Sequence, residues 1–498
     1  MALMRTDQLV LEGCASRKHS GAYFTPDDGV RTLVSWAIRR PSDRMLDPSC
    51  GDGRFLAAHR KSVGIEQNVE SAGVAMQRAP WALVHEGDFF AWAENTKERF
   101  DCTVGNPPFI RYQHFNGEVR ARALAVCSKL GASFSGLSSS WAPFLVAAAS
   151  LLKQGGRMAF VVPAEIGHAP YAKPLLEFLF RSFQHTQIIA MRDKLFHNIS
   201  EDCWLLYADG FGGTSTSLHF TVADSFMPST EPPPPTISIP VGELRGSWKM
   251  RLRPYLLPAA IRDFYLRAGQ AKGSFRLSDV ANVGIGYVSG DNDFFHLRPS
   301  TAKRLGIPTT LLYPTVRNGR ALPVGNLTQE VIDGWYRTDE QMLLLRLQKT
   351  TQLPVSVKRY LDSEAGQKAR EAYKCRTRDP WYVVPDVRTP DFFLTYMSGL
   401  EPGLVRNDTT CTCTNSVHSV RFTQQKAISR VRQEWDSPFV QLSCELEGHP
   451  LGGGMLKLEP REAGQILVPR AGMVLELPAQ AMSDAVSTMR EWRHYVSN

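Results

Sequence analysis

The stretch "RMLDPSCGDGRF", Arg44 to Phe55, decides the architecture. It opens as an apolar strand, passes an acid and a proline, and turns through two glycines toward a helical segment. Gly51 and Gly53 let backbone come within contact distance of a ligand, because neither carries a Cβ. Asp47, at the strand tip, can accept hydrogen bonds from a cationic amine. A phosphate loop would end in G-K-[ST], which is missing, and acids at 47 and 52 would repel an anion. A tight strand–helix turn of purely structural purpose would look the same from this stretch alone.

The surroundings place the turn in a larger pattern. Apolar runs at 44–50, 62–68, 82–90, 101–109, 157–165, 186–193 and 203–210 read as seven strands. Helical patterns separate them. One is "WAPFLVAAASLLKQGG" (141–156), with Gly155 expected as its C-terminal stop. Such alternation predicts an α/β fold with a doubly wound, mostly parallel sheet. Sheets of this kind bind ligands at the carboxyl ends of their strands.

The other strand tips carry matching chemistry. Glu66 ends the second strand in "VGIEQN", 19 residues after Asp47. A carboxylate there suits a ribose diol, since it can accept two hydroxyl protons. Asp88 ends the third in "EGDFF" and could accept from an adenine amino group, with Phe89 beside it. Each acid alone could be a solvated strand-end residue. Asp, Glu and Asp on three successive tips point to a ligand with an amine, a ribose and an adenine; S-adenosylmethionine fits that description and the acidic loop.

The fourth strand runs into "VGNPPFIRY", Val104 to Tyr112. Prolines cannot donate a ladder hydrogen bond, so the strand must stop there. What remains is a stiff turn offering Asn106, bare carbonyls and the ring of Phe109. A structural turn more often uses Gly or Asp with a single Pro.

Composition bounds the alternatives. The chain has 498 residues, enough for two or three domains. Hydrophobic residues at 43% and charged residues at 21% indicate an ordinary globular class. The net charge of +8 permits a polyanionic partner without requiring one. Nine scattered cysteines form no C-x-x-C pair, so neither a zinc site nor a disulfide framework is expected and no metal is assigned. No apolar run approaches 18 residues and the N-terminus lacks a signal-peptide core. A reducing, cytoplasmic location without a membrane span is the expectation.

"MPSTEPPPPTISIP" (227–240) breaks the alternation and reads as a stiff extended linker. The expected organisation is a catalytic domain at 1–226, this linker, and a second domain at 241–498. The second domain shows no sustained period and is expected to be mixed α+β.

Taken together, these residues resemble the adenine-N6 DNA methyltransferases of the γ group found in bacterial type II restriction–modification systems. "GAYFTP" (21–26) looks like their N-terminal cofactor motif, "DPSCGDGRF" like their glycine loop, "GIEQN" like their ribose acid, "GDFF" like their adenine-reading acid and "NPPF" like their catalytic tetrapeptide. "VGIGYVSGDNDFF" (283–295), "RDPWY" (378–382), "CTNSVHSVRF" (413–422) and "LGGGMLKLEPREAGQILVP" (451–469) look like target-recognition segments.

The resemblance implies a Rossmann-like methyltransferase sheet of seven strands, the last antiparallel, with a C-terminal target-recognition domain. It implies S-adenosyl-L-methionine contacts at Tyr23, Thr25, Pro26, Asp47, Pro48, Cys50, Gly51, Glu66, Asp88, Phe89, Asn106 and Phe144. Asn106 and Pro107 would act on the target amine, with Phe109 stacking on the base. Phe196 would be the second stacking aromatic, although family members often carry proline after it where this chain has His197. The segment between the glycine loop and Glu66 is short, so the first helix is expected to be truncated.

The implied substrate is double-stranded DNA with its adenine rotated out of the helix. Phosphate contacts are expected from Arg317, Arg320, Lys374, Arg376 and Arg378, each of which could equally be a solvated basic surface residue. The chain is expected to work as a monomer. Too few residues precede "GAYFTP" for a nuclease domain, and no D…ExK cluster is evident, so cleavage would belong to a separate restriction endonuclease. Rival readings are a protein-glutamine methyltransferase, a ribosomal RNA methyltransferase, and a DNA-binding module with a dead cofactor pocket. The first two usually lack so long a C-terminal domain; the intact acids and Asn106 argue against the third.

Overall fold

The computed structural model describes residues 25–196, 201–350, 352–451, 453–473 and 479–495. The chain divides into two compact units, Met1–Leu256 and Leu257–Asn498.

In the first unit the apolar runs pair into a nine-stranded sheet. Its strands are β1 (Met45–Asp47), β2 (Ser62–Glu66), β3 (Leu83–Glu86), β4 (Phe100–Gly105), β5 (Leu152–Pro163), β6 (Phe183–Met191), β7 (Cys203–Phe211), β8 (Ser217–Ala223) and β9 (Ile237–Pro240). The order is β3-β2-β1-β4-β5-β7-β6-β8-β9. β1 is parallel to β2 and β4, and β4 to β5. β7 runs antiparallel between β5 and β6. All seven expected strands are present, with the seventh antiparallel. Two further strands extend the sheet beyond β6: β8 is parallel to β6 and β9 antiparallel to β8.

The helices of this unit that bear on the site are α1 (Asp27–Ala37), α2 (Arg54–Ala57), α3 (Val69–Arg78), α4 (Phe89–Asn95), α5 (Gly117–Lys129) and α6 (Trp141–Ala149). α2 has only four residues, the expected truncation. α6 is buried along its whole length. It ends at Ala149, not at Gly155 as the pattern suggested. Leu152 already pairs with Phe100, so strand pairing wins over the continued apolar helix pattern. Gly155, at φ +74°, sits at the irregular start of β5, and its carbonyl accepts from Arg39.

The proline-rich segment also differs from the linker expected of it. Gln187 Nε2 donates to the Pro233 carbonyl at 2.7 Å, and the Val222 N–H donates to Thr236 Oγ1 at 3.1 Å. The segment is thereby pinned along β8, and Ile237–Pro240 becomes the edge strand of the sheet. Prolines set an extended backbone but leave carbonyls free to be captured. The division between the units falls later, after Leu256.

The second unit is mixed α and β. Its largest sheet has five short strands, in the order Ala281–Ile285, Val417–Phe422, Phe392–Thr395, Leu404–Asn407 and Asn326–Leu327. A four-stranded sheet is built from His296–Leu297, Leu343–Leu345, Leu312–Val316 and Thr412–Cys413. An apolar cluster including Phe295, Leu344, Phe393 and Val417 forms its core.

Candidate active site

Strand order reverses between β1 and β4, which opens a crevice at their carboxyl ends. Asp47 is the last residue of β1, and Asn106 follows Gly105, the last of β4. The two tips are in close approach. A Cβ added to Gly105 would lie 2.8 Å from Asp47 Oδ1, so only glycine fits beside the acid. At the glycine loop, Gly53 adopts φ +81° and a Cβ there would stand 2.7 Å from the Ala75 backbone of α3.

Asp47 is 1% exposed. Its Oδ1 accepts the Ser49 N–H at 3.2 Å, while Oδ2 is buried with no partner among the described residues. Burial raises its pKa from 3.8 to about 8; the charges of Glu66 and Asp52 push the same way, and the Ser49 hydrogen bond opposes them. Asp52 does not add open negative charge to the loop as its type suggested. It pairs with Arg54 at 3.0 Å and with Arg78. The acidic character rests on Asp47 and Glu66.

Glu66 closes the loop from β2. Its Oε2 accepts the Gly51 N–H at 2.9 Å and its Oε1 the Asn68 N–H at 2.7 Å. Each oxygen keeps a further lone pair for a hydroxyl. Cys50 is buried, which pushes its thiol up, so it offers contact area and not a nucleophile. Pro48 is buried beside it. Arg54 reaches back to the Thr25 carbonyl and to Asp27 at 3.6 Å, tying the segment before α1 to the loop. The Thr25 hydroxyl is buried without a partner among the described residues; Pro26, exposed, precedes α1. Tyr23 lies outside the described residues.

Asp88 stands two residues beyond β3 and caps α4, its Oδ1 accepting the Ala91 N–H at 2.8 Å and facing Arg122 at 3.3 Å. The acid therefore has structural duties that its place in "GDFF" did not reveal. Phe89 and Phe144, both expected at the cofactor adenine, are brought together: their ring centroids are 4.6 Å apart. Both are buried, and Phe144 also meets Phe90 edge-on.

The Asn106–Phe109 turn is held from two sides. Ser49 Oγ donates to the Asn106 carbonyl at 3.2 Å. Ser140, just before α6, donates its hydroxyl to the Pro108 carbonyl and accepts the Ile110 N–H at 3.0 Å. Its own N–H donates to the Ile110 carbonyl at 3.0 Å. Neither serine stood out in the sequence; the signal available for the second was "SSSW" ahead of an apolar helix, a cap pattern. Phe109 is half-buried against an apolar cluster that includes Phe55, Leu195 and Phe196. Phe196 is only 8% exposed. The structure brings both expected stacking rings to one apolar cluster.

In the second unit the basic candidates separate. Arg317 and Arg320 line a cleft of about 400 Å³ together with Arg298 and Trp335. Arg317 is tethered to Gln341, whereas Arg320 is exposed. Lys374 and Arg376 are exposed and flank the ring of Tyr373. Arg378 departs from its expected role. Its guanidinium donates to the Ser289 carbonyl at 2.6 Å and the Val288 carbonyl at 2.7 Å, which makes it a brace of the backbone.

Among the described residues there is no group of acids, histidines and cysteines that could hold a metal, and no helix long and apolar enough to cross a membrane. Their eight cysteines are free and buried. The unpartnered Asp47 oxygen, the Glu66 carboxylate and the paired rings Phe89 and Phe144 fit the amine, ribose and adenine of S-adenosyl-L-methionine.

Comparison with known proteins agrees with this construction. Residues 58–196 match the model of the Eco57I restriction-modification methylase, and residues 249–495 that of the C-terminal domain of type II methyltransferase M.Eco57I. Type II methyltransferase M.AccI of Acinetobacter calcoaceticus is 18% identical over 96% of this chain and 90% of its own length. M.TthHB8I of Thermus thermophilus is 32% identical over 30% of this chain and 36% of its own. Among solved structures, the type IIG restriction endonuclease BpuSI aligns over 96% of this chain and 62% of its own, with a TM-score of 0.43 and 14% identity. The glycine loop, the Asn-Pro-Pro-Phe turn and the two family matches, one after the other along a single chain, lead to one conclusion: the protein belongs to the Eco57I family of type II restriction–modification methyltransferases.

Proposed function

We propose that this chain methylates the exocyclic N6 amine of an adenine rotated out of double-stranded DNA, with Asn106 and Pro107 as the residues that act on the amine. S-adenosyl-L-methionine is the cofactor and, when bound, supplies an electrophilic methyl group on a sulfonium. Asp47 would hold its amine, Glu66 its ribose, and Asp88, Phe89 and Phe144 its adenine, with Thr25, Pro48, Cys50 and Gly51 lining the pocket.

The observation that carries the proposal is the stiff turn at the end of β4, set against Asp47 across Gly105. An adenine amine attacks poorly because its lone pair is delocalised into the ring. Two acceptors aimed at its two N–H bonds favour a tetrahedral nitrogen and free that pair. Asn106 Oδ1 and the Pro107 carbonyl would be those acceptors, a preorganised dipole pair facing the charge that develops on nitrogen. No side chain has to remove a proton first, since the methylated cation is far more acidic than the amine. Phe109 would stack on the extruded base and offset part of the few kcal/mol that flipping costs. A matching role for Phe196 requires its ring to leave the cluster it occupies here. Arg320, Lys374 and Arg376 are exposed cations suited to backbone phosphates.

The test is transfer of labelled methyl from S-adenosyl-L-methionine to plasmid DNA, RNA and protein in parallel, followed by digestion and mass analysis. N6-methyladenine in DNA alone is the expected product. Label in cytosine, RNA or glutamine would refute the assignment. Monomeric action and a separate restriction endonuclease acting at the same DNA site complete the proposal; cell extract that cleaves unmodified but not modified plasmid would supply the second.

A further inference from the structure

The carbonyls of Asn106 and Pro108 are both occupied by serine hydroxyls, those of Ser49 and Ser140. The Pro107 carbonyl between them has no hydrogen-bond partner among the described residues. We propose that Ser140 is a positioning residue of the methyl-transfer site, holding the turn so that the Pro107 carbonyl is presented to the reacting amine beside Asn106 Oδ1. The proposal rests on the N6-amine reading above.

The geometry is specific. Ser140 makes three hydrogen bonds to one short stretch, Pro108 to Ile110, using both its hydroxyl and its backbone N–H. It is 2% exposed, and Ser138, Ser139 and Trp141 around it are buried as well, so water cannot replace its hydroxyl cheaply. Its own carbonyl accepts the Phe144 N–H at 3.1 Å and so begins α6. One residue thus couples the turn to the helix that carries Phe144. Prolines restrict φ at 107 and 108, and Pro108 also confines ψ at 107 to the extended region, whereas ψ at 108, which aims the Pro108 carbonyl and the chain beyond it, carries no such restriction. The Ser140 hydroxyl removes that remaining freedom at Pro108, and Ser49 tethers the Asn106 carbonyl on the other side of Pro107. Misplacing an acceptor by about 1 Å can slow a reaction on the order of a hundred-fold.

The test measures single-turnover methyl transfer to target DNA, cofactor affinity by calorimetry, and melting temperature, for wild type, Ser140→Ala and Ser140→Thr. Ser140→Ala is expected to slow transfer roughly ten- to a hundred-fold while cofactor and DNA affinity stay within about two-fold. Ser140→Thr keeps the hydroxyl and is expected to recover most of the rate. A wild-type rate in folded Ser140→Ala overturns the proposal. Equal losses in both variants, in step with lost cofactor affinity, overturn it too, because they indicate a packing role. Should Ser140→Ala not fold, Ser140→Cys keeps the volume with a much weaker donor; reduced transfer supports the positioning role and an unchanged rate overturns it. Wild-type enzyme that methylates no adenine in DNA refutes the functional reading and this role with it. Active wild type with an equally active variant refutes the role alone.

Discussion

Replacing Asp47 by asparagine should flatten the pH dependence of cofactor binding. In the ligand-free chain, burial raises the Asp47 carboxyl from 3.8 to about 8. A cationic amine selects the ionised form. The ionised fraction is about 1% at pH 6, about 10% at pH 7 and about 50% at pH 8. An α-amine with a pKa near 8 loses part of its own charge over the same range, so affinity for S-adenosyl-L-methionine should rise about eight-fold, or about 1.2 kcal/mol, from pH 6 to 7 and about twenty-fold from pH 6 to 8. Near pH 8 the loss of charge on the ligand's amine balances the gain at Asp47, so the rise stops there. Binding at pH 7 should release about 0.8 proton net, about 0.9 from Asp47 less about 0.1 taken up by the ligand's amine. Isothermal calorimetry at pH 6, 7 and 8, in buffers of different ionisation enthalpy, measures both quantities. Asp47→Asn should bind more weakly at pH 8, show no such slope and release no proton. The stability sign runs the opposite way. The folded chain keeps this proton between pH 3.8 and about 8 while the unfolded chain gives it up, so ligand-free stability should fall as pH rises through that window, and Asp47→Asn should remove that fall. A wild-type affinity that is flat from pH 6 to 8, or a slope that survives in Asp47→Asn, would refute the argument.

Asn106→Ala should abolish methyl transfer while leaving cofactor affinity by calorimetry within a few-fold; wild-type turnover would remove Asn106 from the chemistry. Gly53→Ala places a Cβ 2.7 Å from the Ala75 backbone at φ +81°, and chemical denaturation should show about 1–3 kcal/mol lost. Arg378→Ala strips two backbone carbonyls of their donor and should also lower stability by about 1–3 kcal/mol. The pair Lys374→Ala and Arg376→Ala should leave the melting temperature unchanged and reduce the salt slope of DNA binding by about 2, measured by fluorescence anisotropy.

The sheet of the first unit was legible because the candidate site residues sit at strand ends. Asp47 and Glu66 end β1 and β2, and Asn106 follows β4, so period and residue type pointed the same way. Partners were not legible. Nothing near Asp52 in the sequence discloses that Arg78, 26 residues away at the end of α3, neutralises it. Ser140 lies 32 residues from the carbonyl it holds, and Arg378 lies 89 from one of those it braces. Such contacts exist only after folding. β8 and β9 escaped notice because "SLHFTVA" and "ISIP" flank a proline run that dominates local propensity. The second unit resisted for a related reason: its strands are two to six residues long, too short for a period to declare itself.

The prolines beside β9 have a bearing on how the chain behaves at high concentration. An open sheet margin is a template on which a strand from a neighbouring molecule can grow. Here the outermost strand spans only Ile237–Pro240, and Pro232 to Pro235 lie immediately upstream, stapled to the sheet by Gln187. Backbone without N–H groups offers an incoming strand little to grip. The run that interrupts the alternation in sequence thus acts as a selvedge, closing the fabric against stray threads from other copies.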